Sequence, residues 1–273
     1  MTDQYAVLGN PIAHSKSPQI HTAFARQRSQ PIDYKRLFCE IGAFVPTVNA
    51  FRAHGGKGLN ITVPFKHEAF DFATRLSARA QLAGAVNTLS FDGDDVAGDN
   101  TDGAGLVRDL AVNLQRALRG KAILLLGAGG ASFGVVGPLL HEAPAALTVA
   151  NRTVSKAEML IERFRPHAQA CALRASGFDA LAGQRFDLVI NATSAGLSGD
   201  MPQLPKGLFA AGALAYDMVY GKATPFMQFA RGEGAAVADG LGMLVEQAAE
   251  SFFIWRGVRP QTVPVMAQLR SAA

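Results

Sequence analysis

The sequence contains little cysteine, little tryptophan and little charge. Of its 273 residues, two are cysteine, one is tryptophan and 18% are charged. Cys39 and Cys171 are too few for a disulfide framework in a chain of this size, and neither belongs to a cluster of Cys and His residues at metal-ligand spacing. We therefore predict two ordinary thiols in a reducing compartment and no metal site.

Long apolar runs and blocks of one charge are also missing. Gly, Pro or charged residues interrupt each apolar stretch before the roughly 18 residues of a membrane span, and the start of the chain lacks the apolar segment of a signal peptide. The net charge of +4 is dispersed, which disfavours a nucleic-acid surface. Hydrophobic residues still make up 49% of the chain, enough for a folded core. We predict a cytoplasmic globular protein that binds neither membrane nor nucleic acid.

Strand-like and helix-like segments alternate along the whole chain. Such alternation is typical of βαβ units and of α/β folds with mostly parallel sheets. The exception is a predicted hairpin, 87–91 with 96–99, around a turn at 92–95. The other predicted strands cover 5–9, 34–38, 58–63, 123–126, 147–150, 188–191, 214–217 and 235–238. The predicted helices cover 17–28, 41–54, 103–119, 132–142, 154–164, 243–255 and 262–270.

A domain boundary is predicted near the long helix 103–119, because a nucleotide-binding pattern begins directly after it. Residues 105–240 would form a Rossmann-type cofactor domain, and 1–104 with 241–273 a substrate-binding and catalytic domain. The predicted fold class is therefore α/β, with two α/β domains around a cleft.

A glycine-rich turn follows the most apolar predicted strand, in the segment KAILLLGAGGASFG at 121–134. Gly127 permits a tight turn, Gly129 lets backbone approach a pyrophosphate, and the N–H groups at the start of the next helix face the phosphates. Ser132 stands where G-x-G-x-x-G has its last glycine, so the motif alone is only moderately specific. A glycine-rich turn that merely packs is the alternative, but the strand before, the helix after and the second strand at 147–150 favour dinucleotide binding.

The end of that second strand indicates which dinucleotide binds. NAD enzymes usually place Asp or Glu there, whereas this chain has Asn151, Arg152 and Thr153, with Lys156 one turn further on. Arg152 can pair with a 2′-phosphate, and Lys156 adds a second positive charge. A merely solvated basic helix start is disfavoured, because cations there oppose the helix dipole. The sequence predicts NADP rather than NAD.

Polar residues of the first domain suggest a site for a small anionic substrate. Ser15 and Ser17 precede a predicted helix and can hold a carboxylate, although Ser17 is equally a candidate for the helix cap. Lys66 follows a strand near the predicted cleft and can transfer a proton, or else is a surface lysine. Asp102 is its candidate partner, or else a helix cap. Spacing alone does not bring these segments together.

Short segments in one order along the chain together resemble those of shikimate dehydrogenases. They cover nearly the whole chain, from Gly9 to Ala249. The matching segments are GNPIAHSKSP at 9–18, NITVPFK at 60–66, AGAVNTL at 83–89, GDNTDG at 98–103, GAGGAS at 127–132, NRT at 151–153, NATS at 191–194 and DGLGMLVEQAA at 239–249.

This resemblance implies NADP-dependent, reversible reduction of 3-dehydroshikimate to shikimate, a step towards chorismate and the aromatic amino acids. It implies that Lys66 transfers the proton and that Asp102 positions it at the reacting oxygen. The implied substrate contacts are Ser15, Ser17 and Tyr220 for the carboxylate, and Asn60, Thr62, Asn87 and Gln247 for the ring hydroxyls. The implied cofactor contacts are Gly127, Ala128, Gly129, Gly130, Ala131 and Ser132 for the pyrophosphate, Asn151, Arg152, Thr153 and Lys156 for the 2′-phosphate end, and Thr193, Ser194, Met218, Gly240 and Met243 for the nicotinamide.

Two other functions are compatible with much of the same pattern. A quinate/shikimate dehydrogenase with broader substrate and cofactor use shares most of these motifs, but Arg152 argues against it because that enzyme usually has an acidic residue near the adenine ribose. A non-catalytic NADP-sensing regulator would have no need of Lys66 and Asp102. The sequence leaves open whether the chain is a monomer or a homodimer.

Overall fold

The computed structural model of the chain describes residues 2–193, 195 and 199–271. The chain folds into two compact units. The first runs to Gly105 and takes up the chain again at Leu244, and the second comprises Leu106–Met243. Within the described residues no helix is both long enough and apolar enough to cross a membrane.

The first unit is built on a mixed six-stranded sheet in the order β2-β1-β3-β5-β6-β4. β1 pairs in parallel with β2 and β3, whereas β5 is antiparallel to both β3 and β6. Apolar side chains from its strands pack with Phe44, Phe65 and other helix residues into a buried core. The strands are β1 Asp3–Gly9, β2 Ile32–Phe38, β3 Gly56–Ile61, β4 Arg75–Leu76, β5 Thr88–Asp92 and β6 Asp95–Asp99.

Helices connect and cover these strands. α5 carries the chain out of the first unit and continues into a turn of π-helix at Asp109–Asn113, and α9 brings the chain back. The helices of this part of the chain are α1 Ser17–Gln27, α2 Phe44–Ala53, α3 Lys66–Phe72, α4 Ala78–Ala83 and α5 Asp102–Arg108, followed after the second unit by α9 Leu241–Arg256 and α10 Val263–Ser271.

The second unit is built on an all-parallel six-stranded sheet in the order β12-β11-β10-β7-β8-β9. This is the strand order of the dinucleotide-binding Rossmann fold. Leu124, Leu125 and Leu126 of the central strand are fully buried, as expected where helices cover both faces of a parallel sheet. The strands are β7 Ala122–Leu126, β8 Ala146–Ala150, β9 Ala172–Ser176, β10 Phe186–Asn191, β11 Phe209–Asp217 and β12 Ala236–Asp239. The described α-helices that lie wholly within this unit are α6 Gly130–His141, α7 Val154–Phe164 and α8 Pro225–Gly232.

The predicted α/β class, with a Rossmann-type second unit, is confirmed. The predicted hairpin is also confirmed, since β5 and β6 pair up to Asp92 opposite Asp95 around a two-residue turn. The predicted helix 103–119 is too long. Its α-helical part ends at Arg108, and Gln115 has a φ of 51°, a left-handed conformation that a right-handed helix cannot include.

Candidate active site

A lysine and an aspartate form an ion pair in the first unit. Lys66 begins α3 shortly after β3 ends, and Asp102 begins α5. Nζ of Lys66 lies 2.5 Å from Oδ2 of Asp102, with side-chain exposures of 24% and 10%. An ammonium group held beside a carboxylate can exchange a proton with a substrate oxygen that reaches it. The fold thus joins two residues that sequence spacing alone left apart.

Asn87 holds the other oxygen of the Asp102 carboxylate. Its Nδ2 donates to Oδ1 of Asp102 at 2.8 Å and to Oγ1 of Thr101 at 2.9 Å. Its Oδ1 accepts from the backbone N–H of Thr101 at 2.9 Å. Asn100 fixes the same loop, because its Oδ1 accepts from the N–H of Asp102 at 3.2 Å. Both oxygens of Asp102 are therefore held by named partners.

Asn60 and Gln247 reach the same network from different elements. Asn60 is buried in β3, where its Oδ1 accepts from the Tyr34 hydroxyl at 2.7 Å and its Nδ2 donates to Oγ of Ser251 at 2.9 Å. Gln247 on α9 is half-buried, and its Oε1 lies 3.4 Å from Nδ2 of Asn87. The amide of Asn60 is thus engaged by protein partners, whereas the amide oxygen of Gln247 has only long contacts.

The two serines after β1 lie together at the start of α1. Ser17 is buried, and its N–H donates to Oγ of Ser15 at 3.3 Å. Lys16 occupies the N-cap position without a side-chain cap bond, so the alternative that Ser17 is the helix cap is wrong. Arg36 holds the loop by donating to the Ser15 carbonyl from Nε at 3.1 Å and Nη2 at 2.7 Å. Adjacent hydroxyls at a helix start are suited to a carboxylate.

Thr62 follows β3 directly and is half-buried. Its backbone N–H donates to the carbonyl of Leu8 at 2.9 Å, which continues the strand pairing. Its hydroxyl has no hydrogen-bond partner among the residues that the structure describes. Thr62 therefore differs from Asn60, since its polar group is available to a ligand.

Sequence reasoning missed Tyr34, Arg36 and Ser251. Burial raises the pKa of Tyr34 well above its usual value, so its hydroxyl stays protonated and donates to Asn60. An aromatic residue early in a predicted strand gives no signal beyond core packing. Ser251 did carry a signal, because it lies four residues after Gln247 and helical spacing places the two on one face.

The predicted cofactor residues of the second unit follow strands that end at one edge of the parallel sheet. Contacts join the loops at this edge. The N–H of Gly127 donates to the Ala150 carbonyl at 2.7 Å, and a Cβ at Gly127 would lie 3.2 Å from Cγ2 of Thr193. Ligands of open α/β sheets bind outside this edge.

The glycine turn after β7 leaves its backbone open. A Cβ added at Gly129 or Gly130 would meet nothing within 4 Å, so protein packing does not require glycine at either position. Gly129 is the N-cap of α6, and no side chain caps that helix. The N–H groups of its first turn are therefore available to an anion. This open cradle fits the pyrophosphate of a dinucleotide.

Gly127 and Ser132 have a different role in the same turn. Gly127 has a φ of 102°, which favours glycine. Ser132 is fully buried and its Oγ donates to the Gly127 carbonyl at 2.8 Å, closing the loop from within. Ala128 is also buried, whereas Ala131 is half-buried. The hydroxyl of Ser132 thus supports the cradle instead of facing its open side.

The turn after β8 carries two exposed cations. The side chains of Arg152 and Lys156 form no hydrogen bond or ion pair with any residue in the described ranges, and the first turn of α7 contains no acidic residue. Asn151 shapes the turn, because its Nδ2 donates to the carbonyl of Thr153 at 2.9 Å. Two cations whose side chains have no partner among the described residues, after the strand next to β7, fit a 2′-phosphate.

Met218, Gly240 and Met243 follow the last two strands of the sheet. A Cβ at Gly240 would collide with the backbone carbonyl of Met218, so close approach of the two loops requires glycine there. The N–H of Met243 donates to the Tyr216 hydroxyl at 3.2 Å, and that hydroxyl donates to Oδ2 of Asp109 at 2.7 Å. Burial and the Asp109 carboxylate raise the pKa of Tyr216 well above its usual value. These contacts fix the backbone at Met243.

Two predicted site residues stand apart from the contacts above. Ser194 lies outside the described residues. Tyr220 is half-buried in the loop after β11, in the second unit, and burial raises the pKa of its hydroxyl. Its assignment to the substrate carboxylate stays a prediction.

The cysteines take no part in these clusters. Cys39 and Cys171 are free buried thiols, and burial raises the pKa of each. Among residues 2–193, 195 and 199–271, no group of three or more His, Cys, Asp or Glu side chains could hold a metal ion.

The Rossmann strand order, the open glycine turn and the Lys–Asp pair define a dinucleotide-dependent dehydrogenase. Family models for the shikimate dehydrogenase substrate binding domain, for shikimate / quinate 5-dehydrogenase and for the shikimate 5′-dehydrogenase C-terminal domain match residues 7–89, 109–198 and 240–270. The chain belongs to the shikimate dehydrogenase family, which confirms the resemblance seen in its motifs.

Individual relatives match this chain over nearly their full length. The shikimate dehydrogenase (NADP(+)) of Nitrosospira multiformis is 59% identical, covering 100% of this chain and 98% of the relative. An Ael1 enzyme from Pseudomonas putida has a crystal structure with a TM-score of 0.91 and 49% identity, covering 98% of each chain. The shikimate 5-dehydrogenase of Thermus thermophilus, solved with NADP(H) and shikimate, has a TM-score of 0.88 and 31% identity, covering 100% of both chains.

Proposed function

We propose that this chain catalyses the reversible, NADP-dependent reduction of 3-dehydroshikimate to shikimate. The observation that carries the proposal is the Lys66–Asp102 pair, held by Asn87 in a chain of this family. A protein that only sensed the dinucleotide would need the glycine turn of the second unit. It would not need a half-buried, oriented Lys–Asp pair in the first unit.

The residues at the sheet edge of the second unit would hold NADP. The uncapped first turn of α6, with Gly129 and Gly130, would bind the pyrophosphate, and Arg152 with Lys156 the 2′-phosphate. When bound as NADPH, the cofactor supplies the two electrons and the hydrogen that the substrate carbonyl carbon gains. Gly127 and Ser132 keep the turn in shape for this contact.

The first unit would hold the substrate and move its proton. The carbonyl oxygen must gain a proton as it becomes a hydroxyl, and Lys66 would donate it from Nζ. In the oxidation direction the same nitrogen accepts the proton. Asp102 orients Lys66 through Oδ2, while Asn87 keeps the carboxylate from turning. Ser15 and Ser17 would bind the carboxylate, with Thr62 and Gln247 contacting ring hydroxyls.

The test is Lys66→Ala, compared with Lys57→Ala as control. Lys57 is an exposed lysine of β3 in the same unit, and it forms no hydrogen bond or ion pair with Asp102. Loss of a proton-transfer residue should lower kcat by about 10²–10⁴-fold. The KM for shikimate should stay within about tenfold, or about 1.4 kcal/mol. A large loss of shikimate binding with kcat intact would make Lys66 an anchor, and Lys57→Ala should change neither constant.

The family model that matches 109–198 covers quinate as well as shikimate enzymes. The choice between shikimate and quinate therefore stays open, whereas Arg152 favours NADP over NAD as the cofactor. The cytoplasmic location and the monomeric or homodimeric state stay predictions from the sequence.

A further inference from the structure

A continuous chain of side-chain hydrogen bonds runs through the first unit and ends at the Lys66–Asp102 pair. It begins at Tyr34, whose hydroxyl donates to Oδ1 of Asn60 at 2.7 Å. Nδ2 of Asn60 then donates to Oγ of Ser251 at 2.9 Å and lies 3.2 Å from Oγ1 of Thr88. The chain therefore starts on β2 and crosses β3 to reach α9 and β5.

The second half of the chain reaches the catalytic pair. Oγ1 of Thr88 lies 2.8 Å from Oγ of Ser251 and donates to Oδ1 of Asn87 at 2.9 Å. Asn87 in turn holds Oδ1 of Asp102, as described above. Oγ of Ser251 also lies 3.2 Å from Oγ1 of Thr101, the residue before Asp102. Every step of this path lies within one unit.

Ser251 on α9 contacts side chains from three other segments, namely β3, β5 and the loop before α5. Its Oγ donates to the backbone carbonyl of Gln247 at 3.1 Å, in addition to its contacts with Asn60, Thr88 and Thr101. One hydroxyl has one proton and two lone pairs, so at most three of these four contacts are hydrogen bonds at one time, and its hydrogen-bonding capacity is full. Ser251, Thr88 and Thr101 are all 0% exposed.

Because these groups are fully buried, loss of one of these hydrogen bonds disturbs the neighbouring groups. A buried hydroxyl or amide that loses its partner cannot turn to water, so the remaining groups must rotate to find new partners. A fully satisfied buried network selects one arrangement of its members. The members here include Asn87, which sets the orientation of the Asp102 carboxylate, and Gln247, which faces Asn87.

We propose that Ser251 is a positioning residue of the reaction, acting with Thr88 and Tyr34 to set Asn60, Asn87 and Asp102 in their working orientation. The inference rests on the proposed function. It assigns a role to Ser251, Thr88 and Tyr34, none of which hydrogen-bonds to Lys66 in the part of the chain that the structure describes. It also makes the amide of Asn60 part of the support for the site.

A purely structural role for Ser251 makes a different prediction. Loss of a buried hydrogen bond alone would lower the melting temperature and leave the kinetic constants of the folded enzyme unchanged. Positioning predicts a selective effect, because the network lies in the first unit and contains no residue of the glycine turn. The kinetic constants for shikimate should change, and the KM for NADP should not.

The experiment compares Ser251→Ala and Thr88→Val with Ser90→Ala. Ser90 lies on β5 two residues after Thr88, hence on the same face of the strand, and its hydroxyl bonds to none of the described residues. We expect Ser251→Ala and Thr88→Val to lower kcat/KM for shikimate at least tenfold. The KM for NADP should stay within twofold, and Ser90→Ala should match the parent in all constants. Each enzyme is assayed well below its own melting temperature.

Four outcomes would count against the inference. Kinetic constants of Ser251→Ala equal to those of Ser90→Ala would overturn it, as would a matching rise in the KM for NADP. If the parent enzyme itself does not turn over shikimate, the proposed function fails first and the inference with it. Should Ser251→Ala not fold, Tyr34→Phe removes only the hydroxyl donated to Asn60 and keeps the ring stacked on His21, with centroids 4.2 Å apart. It should then lower kcat/KM for shikimate at least fivefold, and no change would again overturn the inference.

Discussion

The replacement Gly129→Ser should change stability and cofactor binding in opposite directions. Gly129 is exposed, its φ of −94° and ψ of −173° suit any residue, and an added Cβ meets nothing within 4 Å. Serine is also a better N-cap than glycine, by a few tenths of a kcal/mol. The variant should therefore unfold at the same or a slightly higher denaturant concentration, since no contact is lost.

Cofactor binding should weaken for two reasons. The new side chain occupies the side from which the pyrophosphate approaches, and its hydroxyl accepts from the same first-turn N–H groups that the phosphates would use. Loss of even one charge-assisted hydrogen bond is worth about 1.5–3 kcal/mol, or about 10–150-fold in Kd. We expect the Kd of NADP to rise at least tenfold.

Two titrations on the same samples test the predicted stability and the predicted cofactor affinity of Gly129→Ser. Urea unfolding without cofactor gives the stability, and calorimetric or fluorescence titration gives the Kd of NADP. Gly232→Ala is the control, because Gly232 ends α8, an added Cβ there also meets nothing within 4 Å, and it is remote in sequence from the turn. A Kd for Gly129→Ser equal to that of the control would refute the placement of the pyrophosphate. A large loss of stability would refute the description of the turn.

Three further predictions concern single side chains. Arg152→Ala should raise the KM for NADP much more than that for NAD, and equal effects in steady-state assays would remove Arg152 from the 2′-phosphate site. Burial lowers the pKa of His21 to about 3, so the stability associated with its neutral ring is complete above about pH 6.5 and is lost as the pH falls towards 3, by up to about 5 kcal/mol. In urea titrations between pH 7 and 4.5, His21→Phe should reduce the dependence of the unfolding free energy on pH. An unchanged pH dependence would contradict the lowered pKa of His21. Arg79 pairs with two half-buried carboxylates, so Arg79→Met should lower the unfolding free energy by about 2–3 kcal/mol. The control Arg75→Met breaks an exposed ion pair and should change the unfolding free energy little. Equal losses of unfolding free energy in urea would contradict this difference.

The second unit could be predicted well from the sequence because its signals are local. The apolar run of β7, the glycine turn and the start of α6 are contiguous, and the predicted bounds of α7 match the observed ones, Val154–Phe164. The sequence pattern did not predict the strand β9, since it lies at the sheet edge and exposes alternate residues. The strand β4 has only two residues, too few to show the alternation of apolar and polar residues that predicts a strand.

The first unit depends on contacts between distant segments, which spacing cannot reveal. Lys66 and Asp102 are joined only because β3 and the loop before α5 meet in the fold, and the family resemblance had to stand in for that geometry. Ser251 is separated from Asn60 by 191 positions. The sequence pattern likewise carried no signal for the π-helical turn Asp109–Asn113 that follows α5, or for the left-handed conformation of Gln115 beyond it.

The most direct test of the central claim is cofactor reduction, followed by absorbance, with shikimate and with quinate, each in the presence of NADP and of NAD. We predict rapid turnover with shikimate and NADP and far slower turnover with the other three pairs. Comparable turnover with quinate would contradict the predicted substrate specificity, and comparable turnover with NAD would contradict the role of Arg152. Binding of NADP without turnover of either substrate would contradict the catalytic function itself.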